Sequence, residues 1–122
     1  MSRDRTAPER SEKGVGIDMQ DRGHTMLGFA RKAGKTVSGE EGLRWHAAAG
    51  SAHLIILAED AREKKVRDVT LLAENHGIRL VRWGTVDSLG QAIGQTISAA
   101  VAITDRQLAE AILHYLDGRE TK

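Results

Sequence analysis

Apolar residues are arranged along this chain in two alternating patterns, one with helical spacing and one as short unbroken runs. Residues 24–33 (HTMLGFARKA) carry apolar side chains at helical spacing, which predicts a helix that ends at Gly34. Residues 53–58 (HLIILA) form an unbroken apolar run, whereas a strand with one solvent-exposed face would alternate. We therefore predict a central strand there, covered on both faces of a sheet.

The same alternation continues to the end of the chain. Strands are expected at residues 78–83 and 98–103, a short extended link at residues 35–37, and a short helix at residues 86–93. Three further helices begin at capping boxes, in which Ser, Thr or Asp is followed three residues later by Glu or Gln: Ser38–Glu41, Asp60–Glu63 and Thr104–Gln107. Helices that alternate with apolar strands predict an α/β fold, a three-layer α/β/α sandwich.

Both ends of the chain differ from the part that carries this pattern. Residues 1–21 mix charges of both signs, hold the single proline, Pro8, and have few large apolar side chains to offset the entropy of ordering. We therefore expect a flexible charged tail there, one domain over residues 22–118, and a short C-terminal tail over residues 119–122. A single domain also suits a length of 122 residues.

Composition excludes several classes of protein. Cysteine is absent, which excludes disulfides, thiol nucleophiles and cysteine-ligated metal centres. The 18 basic and 17 acidic residues give a net charge of +1, so nucleic-acid binding would require a local basic patch rather than bulk charge. No apolar run approaches the ~20 residues that span a bilayer, and the N-terminus lacks the apolar core of a signal peptide. We expect a cytoplasmic protein without a membrane partner.

The spacing of polar residues gives little support to an enzymatic site. The five histidines are scattered, and none has the spacing of a zinc motif. Glu59 and Asp60 follow the predicted central strand and Asp105 follows another, and paired carboxylates at strand ends can hold magnesium. A metal-dependent phosphoesterase built on them is the weakest hypothesis, because Asp60 and Asp105 also suit helix caps, which are far more common.

A basic segment precedes the second predicted helix. From Arg22 to Lys35 there are four basic residues and no acid, and the segment leads into a helix N-terminus, whose free backbone N–H groups favour an anion. Arg31, Lys32 and Lys35 therefore form a candidate phosphate-binding patch. A solvated basic face is the alternative interpretation.

Trp45 lies within that second helix. At about 100 degrees per residue, Leu43 marks the face that points to the core, whereas Trp45 and Ala48 fall on the opposite face. An exposed tryptophan often marks an interface. Trp45 is therefore a candidate to stack on a nucleobase or to pack on a protein, unless the N-terminal tail covers it.

Four segments of the chain together are similar to a known family. ARKAGKTVSGEE, AHLIILAEDA, LGQAIG and AAVAITD occur in this order, and residues 24–117 resemble the kink-turn-binding superfamily of ribosomal proteins L7Ae and L30e, in particular its bacterial YlxQ-type branch. The resemblance implies an α/β/α sandwich with a mixed four-stranded sheet. It also implies RNA binding without catalysis and without a cofactor or metal.

The resemblance further implies where RNA would bind. In the family, the RNA surface consists of the basic turn before the second helix, the start of that helix, and the loop before the last strand. The helix start carries the pattern Gly-x-Asn-Glu-x-x-Lys, whose Asn, Glu and Lys read guanine edges, and this pattern falls on residues 39–45. Gly39 matches, but Glu41, Gly42 and Trp45 replace the three base-reading residues.

We therefore predict RNA binding led by the RNA backbone, with most kink-turn specificity lost. Lys35 matches a basic position of the family, and Ile97 offers an apolar contact in the loop at residues 95–98. The expected partner is a structured RNA, with ribosomal RNA as one candidate. The alternative is a protein-interaction module or homodimer that uses Trp45. The candidate RNA-binding residues are Arg31, Lys32, Lys35, Ser38, Gly39, Glu40, Glu41, Trp45 and Ile97.

Overall fold

Helices and strands alternate along the chain in the predicted order. The structure is a computed structural model that describes the backbone of residues 18–120 and the side chains of residues 22–116. Within these residues the elements are α1 (Asp18–Lys32), β1 (Thr36–Ser38), α2 (Glu40–Ala49), β2 (Leu54–Leu57), α3 (Glu63–His76), β3 (Leu80–Arg82), α4 (Val86–Ala92), β4 (Ala100–Ile103) and α5 (Arg106–Glu120).

The strands of the described region form one mixed sheet with the order β1-β4-β2-β3. β4 runs antiparallel to both of its neighbours, with Thr36 and Leu54 on either side of Ile103, and β2 runs parallel to β3. Every residue of β2 and β4 is buried, as expected for strands whose apolar runs do not alternate. The predicted central strand and the mixed four-stranded sheet are therefore confirmed.

Helices cover both faces of this sheet. Ile56 of β2 belongs to the buried cluster formed with α1, α4 and α5, which also contains Leu27. Ile55, its neighbour in the strand, belongs to the buried cluster formed with α2 and α3, which also contains Leu43. Successive residues of a strand point to opposite faces, so one short apolar run supplies both halves of the core. The predicted α/β/α sandwich is confirmed.

Two of the predicted capping boxes are wrong. Ser38 stays in β1, paired with β4, and α2 begins after Gly39 without a side-chain cap. α3 likewise begins after Arg62 without a side-chain cap. Asp60 instead accepts a hydrogen bond of 2.8 Å from the N–H of Val86, at the start of α4. Strand pairing and a contact from a distant element thus take the groups that the sequence assigned to local caps.

The last helix is capped one residue later than predicted. Asp105, rather than Thr104, accepts the N–H of Leu108 at 2.9 Å. The backbone N–H of Thr104 donates to Lys35 C=O at 2.8 Å, which keeps this residue in register with the edge strand. Thr104 therefore continues the sheet, and the helix begins only after it.

The first helix begins earlier and the last helix ends later than the sequence predicts. Residues 18–21, expected in the tail, belong to α1, and α5 continues to Glu120, past the predicted domain end. A Cβ on Gly23 would lie 2.5 Å from Cζ2 of Trp83, so the bare backbone at this position allows α1 to pack on that ring. The rest of the predicted tails, residues 1–17 and 121–122, lies outside the described residues. Across the described part of the chain, none of the helices combines the length and the apolar character needed to cross a bilayer.

Candidate nucleic-acid interface

The basic turn between α1 and β1 is held by its backbone on both sides. Gly34 adopts φ 75°, a left-handed conformation that ends the helix. The N–H of Lys35 donates to a carbonyl of α1 at 2.8 Å, and its C=O accepts from Thr104 N–H at 2.8 Å. The turn therefore fixes Lys35 between α1 and the sheet, while Arg31 and Lys32 are exposed in the last turn of α1.

The start of α2 combines a feature that attracts anions with one that opposes them. Gly39 begins the helix with φ 89°, and no side chain caps it, which is the local situation in which helix N–H groups bind an anion. Glu40 and Glu41 occupy the first turn. Glu40 lies 3.4 Å from the guanidinium of Arg44, but both side chains are exposed, so the pair is weak. The two carboxylates therefore oppose a phosphate that the helix N-terminus would favour.

Gly42 allows α2 to lie close against β1. A Cβ at this position would lie 2.8 Å from Cγ1 of Val37, well inside van der Waals contact. Val37 is β-branched and has little rotameric freedom to move away. The position that carries a base-reading glutamate in the family pattern is thus used here for close packing of a helix on a strand.

The loop between α4 and β4 is packed against the end of α1. Gly94 adopts φ 78°, and a Cβ there would lie 2.5 Å from Cζ and 2.6 Å from Nη2 of Arg31. The Arg31 guanidinium therefore lies directly on this glycine. This contact joins two segments of the candidate interface that are far apart in the sequence.

The same loop presents Ile97 on a fixed backbone. A Cβ on Gly90 would lie 2.5 Å from Cα of Ile97, so the loop packs on α4 only because position 90 has no side chain. The N–H of Gln95 donates to Gly90 C=O at 2.7 Å, and the N–H of Ser98 donates to Val86 C=O at 2.9 Å. Ile97 is nevertheless 59% exposed, so its side chain points away from a loop that is itself well held.

Trp45 lies on the outer face of α2, as the helical spacing predicts. Its side chain is 66% exposed. The ring makes an edge-on contact with the ring of His46, with centroids 4.8 Å apart, and Nδ1 of His46 lies 2.7 Å from Oγ of Ser51. Trp45 is therefore supported on one side by a hydrogen-bonded neighbour and open to solvent elsewhere.

The edge strand β1 connects the parts of the candidate interface. The basic turn precedes it and Gly39 follows it, and a strand of three residues spans about 10 Å. α1 and α2 both contact β1. Lys35, Ser38 and Gly39 thus follow one another along the sheet edge. Arg31 lies with the Ile97 loop on the α1 side of the sheet, and Glu41 and Trp45 extend along α2 on the other side.

Sequence reasoning missed an exposed aromatic residue in this region. Phe29 lies in α1, one turn before Lys32, and is 63% exposed. The signal was available, because the spacing rule that places Trp45 outside α2 also places Phe29 between two exposed positions, Thr25 and Lys32. The contact between Arg31 and Gly94 carries no comparable signal in the sequence.

The carboxylates considered for a metal site do not come together. Glu59 and Asp60 follow the end of β2, but β4 runs antiparallel to β2, so Asp105 lies at the opposite end of the sheet. Asp60 and Asp105 each accept a backbone N–H at a helix start. No group of three or more His, Asp or Glu suited to a metal occurs in the described part of the chain. The geometry required by the phosphoesterase hypothesis is therefore absent from these residues.

Solved structures share this fold. A protein with unknown function from Bacillus halodurans C superposes with a TM-score of 0.75 at 23% identity, over 79% of this chain and 97% of the other. The Giardia lamblia 15.5kD RNA binding protein superposes with a TM-score of 0.69 at 18% identity, over 88% of this chain and 92% of the other. At these identities the likeness supports the α/β/α fold alone.

Comparison of the sequence with known proteins identifies the family to which the chain belongs. RNA-binding protein YlxQ of Bacillus subtilis is 30% identical over 92 residues, which cover 75% of this chain and 92% of that protein. Large ribosomal subunit protein eL8 of Haloquadratum walsbyi is 34% identical over 106 residues, which cover 85% and 88%. The profile of the ribosomal protein L7Ae/L30e/S12e/Gadd45 family matches residues 21–113. This chain belongs to the ribosomal protein L7Ae/L30e/S12e/Gadd45 family.

Proposed function

We propose that this protein binds structured RNA, such as ribosomal RNA, without catalysing a reaction. The observation that carries the proposal is the packing of Arg31 on Gly94, which joins the basic turn to the loop before β4. Both segments belong to the RNA surface that the family resemblance implies. The Bacillus subtilis relative is named an RNA-binding protein and the Haloquadratum walsbyi relative a large ribosomal subunit protein, which supports this class of partner.

Phosphate contacts supply most of the affinity in this proposal. Arg31, Lys32 and Lys35 place three positive charges on one turn, and each cation that neutralises a phosphate releases a counterion. Ser38 and Gly39 bring the backbone of the sheet edge and the uncapped start of α2 to the same strand of RNA. Affinity should therefore fall steeply as salt is added.

Base recognition is weaker than the family pattern would provide. Glu41 can accept a hydrogen bond but cannot donate one as an asparagine amide does, and Gly42 faces Val37. Each base-specific pair of hydrogen bonds is worth ~1–3 kcal/mol of discrimination, so their loss removes most preference for a kink-turn. Trp45 and Ile97 offer stacking and apolar contact, which tolerate any exposed base.

The first test compares the loss of one charge in the turn with the loss of one charge elsewhere. Lys35→Gln should weaken binding to a labelled kink-turn RNA and to an unstructured RNA of equal length, and should make both salt dependences less steep. Lys64→Gln removes an exposed charge from α3 and should leave both affinities unchanged. Equal effects of the two substitutions would place the interface elsewhere. A strong preference of the unaltered protein for the kink-turn RNA would contradict the proposed loss of base reading.

A second candidate function is favoured by the exposure of Trp45. Together with the exposed Ala48 and Ala49, it forms an apolar area on α2 that a protein partner or a second copy of this chain could cover. Trp45→Ala separates the two functions. Loss of self-association in sedimentation experiments, with RNA affinity intact, would favour the protein interface. Loss of RNA affinity in a monomer would favour RNA.

A further inference from the structure

Phe29 is an exposed aromatic residue on a helix whose opposite side is fully buried. Its side chain is 63% exposed, whereas Leu27 and Ala30 of the same helix have no exposed surface. Its carbonyl accepts the N–H of Ala33 at 3.0 Å, so the helix is intact up to the basic turn. Phe29 therefore projects from a rigid backbone, with no role in the core that would account for an aromatic ring.

The surroundings of Phe29 on α1 are basic. Arg22, Thr25 and Lys32 are exposed at helical spacing from Phe29 and share its face. No acid occurs from Arg22 to Lys35, and the two acids of α1, Asp18 and Asp21, precede this segment in the first turn of the helix. Lys32 lies one turn beyond Phe29 and belongs to the basic turn itself, so this face is continuous with the surface proposed to hold RNA. We call Arg22, Phe29 and Lys32 the α1 stripe.

Charge decides which partner suits the α1 stripe. A second copy of this chain would bring the positive charges of one α1 stripe against those of the other, because a two-fold interface pairs each surface with itself. An RNA strand offers the complementary charge along its backbone and, wherever a base is unpaired, a flat surface for the ring. A cation on either side of an exposed aromatic is the arrangement that single-stranded nucleic acids favour.

We propose that the α1 stripe is a second RNA contact, in which Phe29 stacks on an unpaired nucleotide that flanks the RNA held by the basic turn. Lys32 and Arg22 neutralise the phosphates on either side of that nucleotide. This inference rests on the proposed function, since the flanking nucleotide must be brought to α1 by the neighbouring site. It defines the RNA class further, as a folded RNA with a single-stranded segment next to it.

The test uses the full-length protein and a labelled kink-turn RNA in three forms, with blunt ends or with a short single-stranded extension at the 5′ or the 3′ end. Phe29→Ala should weaken binding to one extended RNA about tenfold, by the loss of one stacked base, and leave the blunt RNA unaffected. Phe29→Leu should weaken this binding almost as much, because leucine keeps the apolar bulk but has no ring. Phe29→Tyr should keep the affinity of the unaltered protein.

Leu71→Ala is the matched control, because Leu71 is also a large apolar residue on a helix surface. Its side chain is 53% exposed, and it lies on α3, at the other face of the sheet. It should change no affinity. Phe29→Ala affinities equal to those of the unaltered protein on all three RNAs would overturn the inference. The inference would also be overturned if Phe29→Leu kept the full affinity for the extended RNA, or if Phe29→Ala abolished self-association of the protein.

Lys35→Gln distinguishes failure of this inference from failure of the proposed function. If Lys35→Gln weakens binding to all three RNAs and Phe29→Ala weakens binding to none, the basic turn binds RNA and the α1 stripe does not. If Lys35→Gln weakens binding to none of them, the proposed site is wrong, and the inference fails with it, because no neighbouring site then brings the flanking nucleotide to α1. Because Phe29 is exposed, all of its variants should keep the melting temperature of the unaltered protein.

Discussion

At the scale of single residues, the carboxylates at the start of α2 oppose the binding of RNA proposed for this helix N-terminus. Glu41 lies in the first turn beside the helix N-terminus that would otherwise receive a phosphate. A negative charge in this turn stabilises the helix through its dipole and at the same time repels an incoming anion. The same side chain therefore contributes to folding and opposes the proposed function.

Glu41→Gln should raise RNA affinity about twofold to fivefold, because it removes like-charge repulsion at a solvent-exposed site. Glu63→Gln is its control, since Glu63 is also an exposed first-turn carboxylate, at the start of α3. Both substitutions should lower the free energy of unfolding by a similar ~0.3–1 kcal/mol through the helix dipole. Titration with labelled RNA at low salt measures the difference. An unchanged affinity for Glu41→Gln would mean that no phosphate approaches this turn.

At the scale of secondary-structure elements, glycines determine how the segments of the candidate interface meet. Gly94 and Gly50 have the same φ of 78°, but a Cβ on Gly94 would contact Arg31 whereas a Cβ on Gly50 would meet nothing within 4 Å. An L residue would therefore face a left-handed φ at both positions, but only at Gly94 would its side chain also contact a neighbour. This pair separates the effect of strain from the effect of moving Arg31.

Gly94→Ala and Gly50→Ala should each lower the free energy of unfolding by about 1–2 kcal/mol, the cost of a left-handed conformation with a Cβ. Only Gly94→Ala should also weaken RNA binding, because it displaces the guanidinium of Arg31 from the loop. Chemical denaturation and RNA titration on both variants test this. An equal loss of RNA affinity in the two variants would mean that the contact with Arg31 has no part in binding.

Gly42 and Val37 should be energetically coupled for the same geometric reason. Replacing a helical glycine by alanine normally gains about 1 kcal/mol, but in Gly42→Ala this gain is offset by the contact with Val37 Cγ1. In a Val37→Ala background the gain should reappear in full. A double-mutant cycle of unfolding free energies measures the coupling. Identical effects of Gly42→Ala in both backgrounds would show that α2 moves freely away from β1.

The secondary-structure elements also show which features of the fold and of the candidate site could be predicted from the sequence. The unbroken apolar run of β2 predicted a buried central strand, because that pattern depends on burial alone and not on which element covers the strand. The capping boxes at Ser38 and Asp60 failed because strand pairing and the start of α4 compete for those groups. The contact of Arg31 with Gly94 depends on how α1 and α4 pack, which local pattern does not encode. Trp45 was placed correctly because helical spacing alone decides its side of the helix.

At the scale of the whole molecule, a nearly neutral protein has to concentrate its positive charge to bind RNA. The net charge is +1, with 18 basic and 17 acidic residues, so long-range attraction to RNA is weak. The segment from Arg22 to Lys35 carries bases without acids, whereas α3 carries three acids beside its three Lys and Arg residues, as in the ion pair of Lys64 with Asp68 at 2.8 Å. The distribution of charge, and not its sum, therefore favours one face of the molecule for RNA.

This distribution predicts the number of phosphates that the protein neutralises. If Arg31, Lys32 and Lys35 supply the contacts, a plot of log affinity against log salt for a kink-turn RNA should have a slope of about −2 to −3, at 0.7–0.9 per phosphate. Lys32→Gln should reduce the slope by nearly one such step, and Lys64→Gln should leave it unchanged. A slope near zero would mean that these three residues neutralise no phosphate, and would contradict binding led by the RNA backbone. A slope steeper by one such step would require one further base outside this turn, and Arg22 of the α1 stripe would be the first candidate.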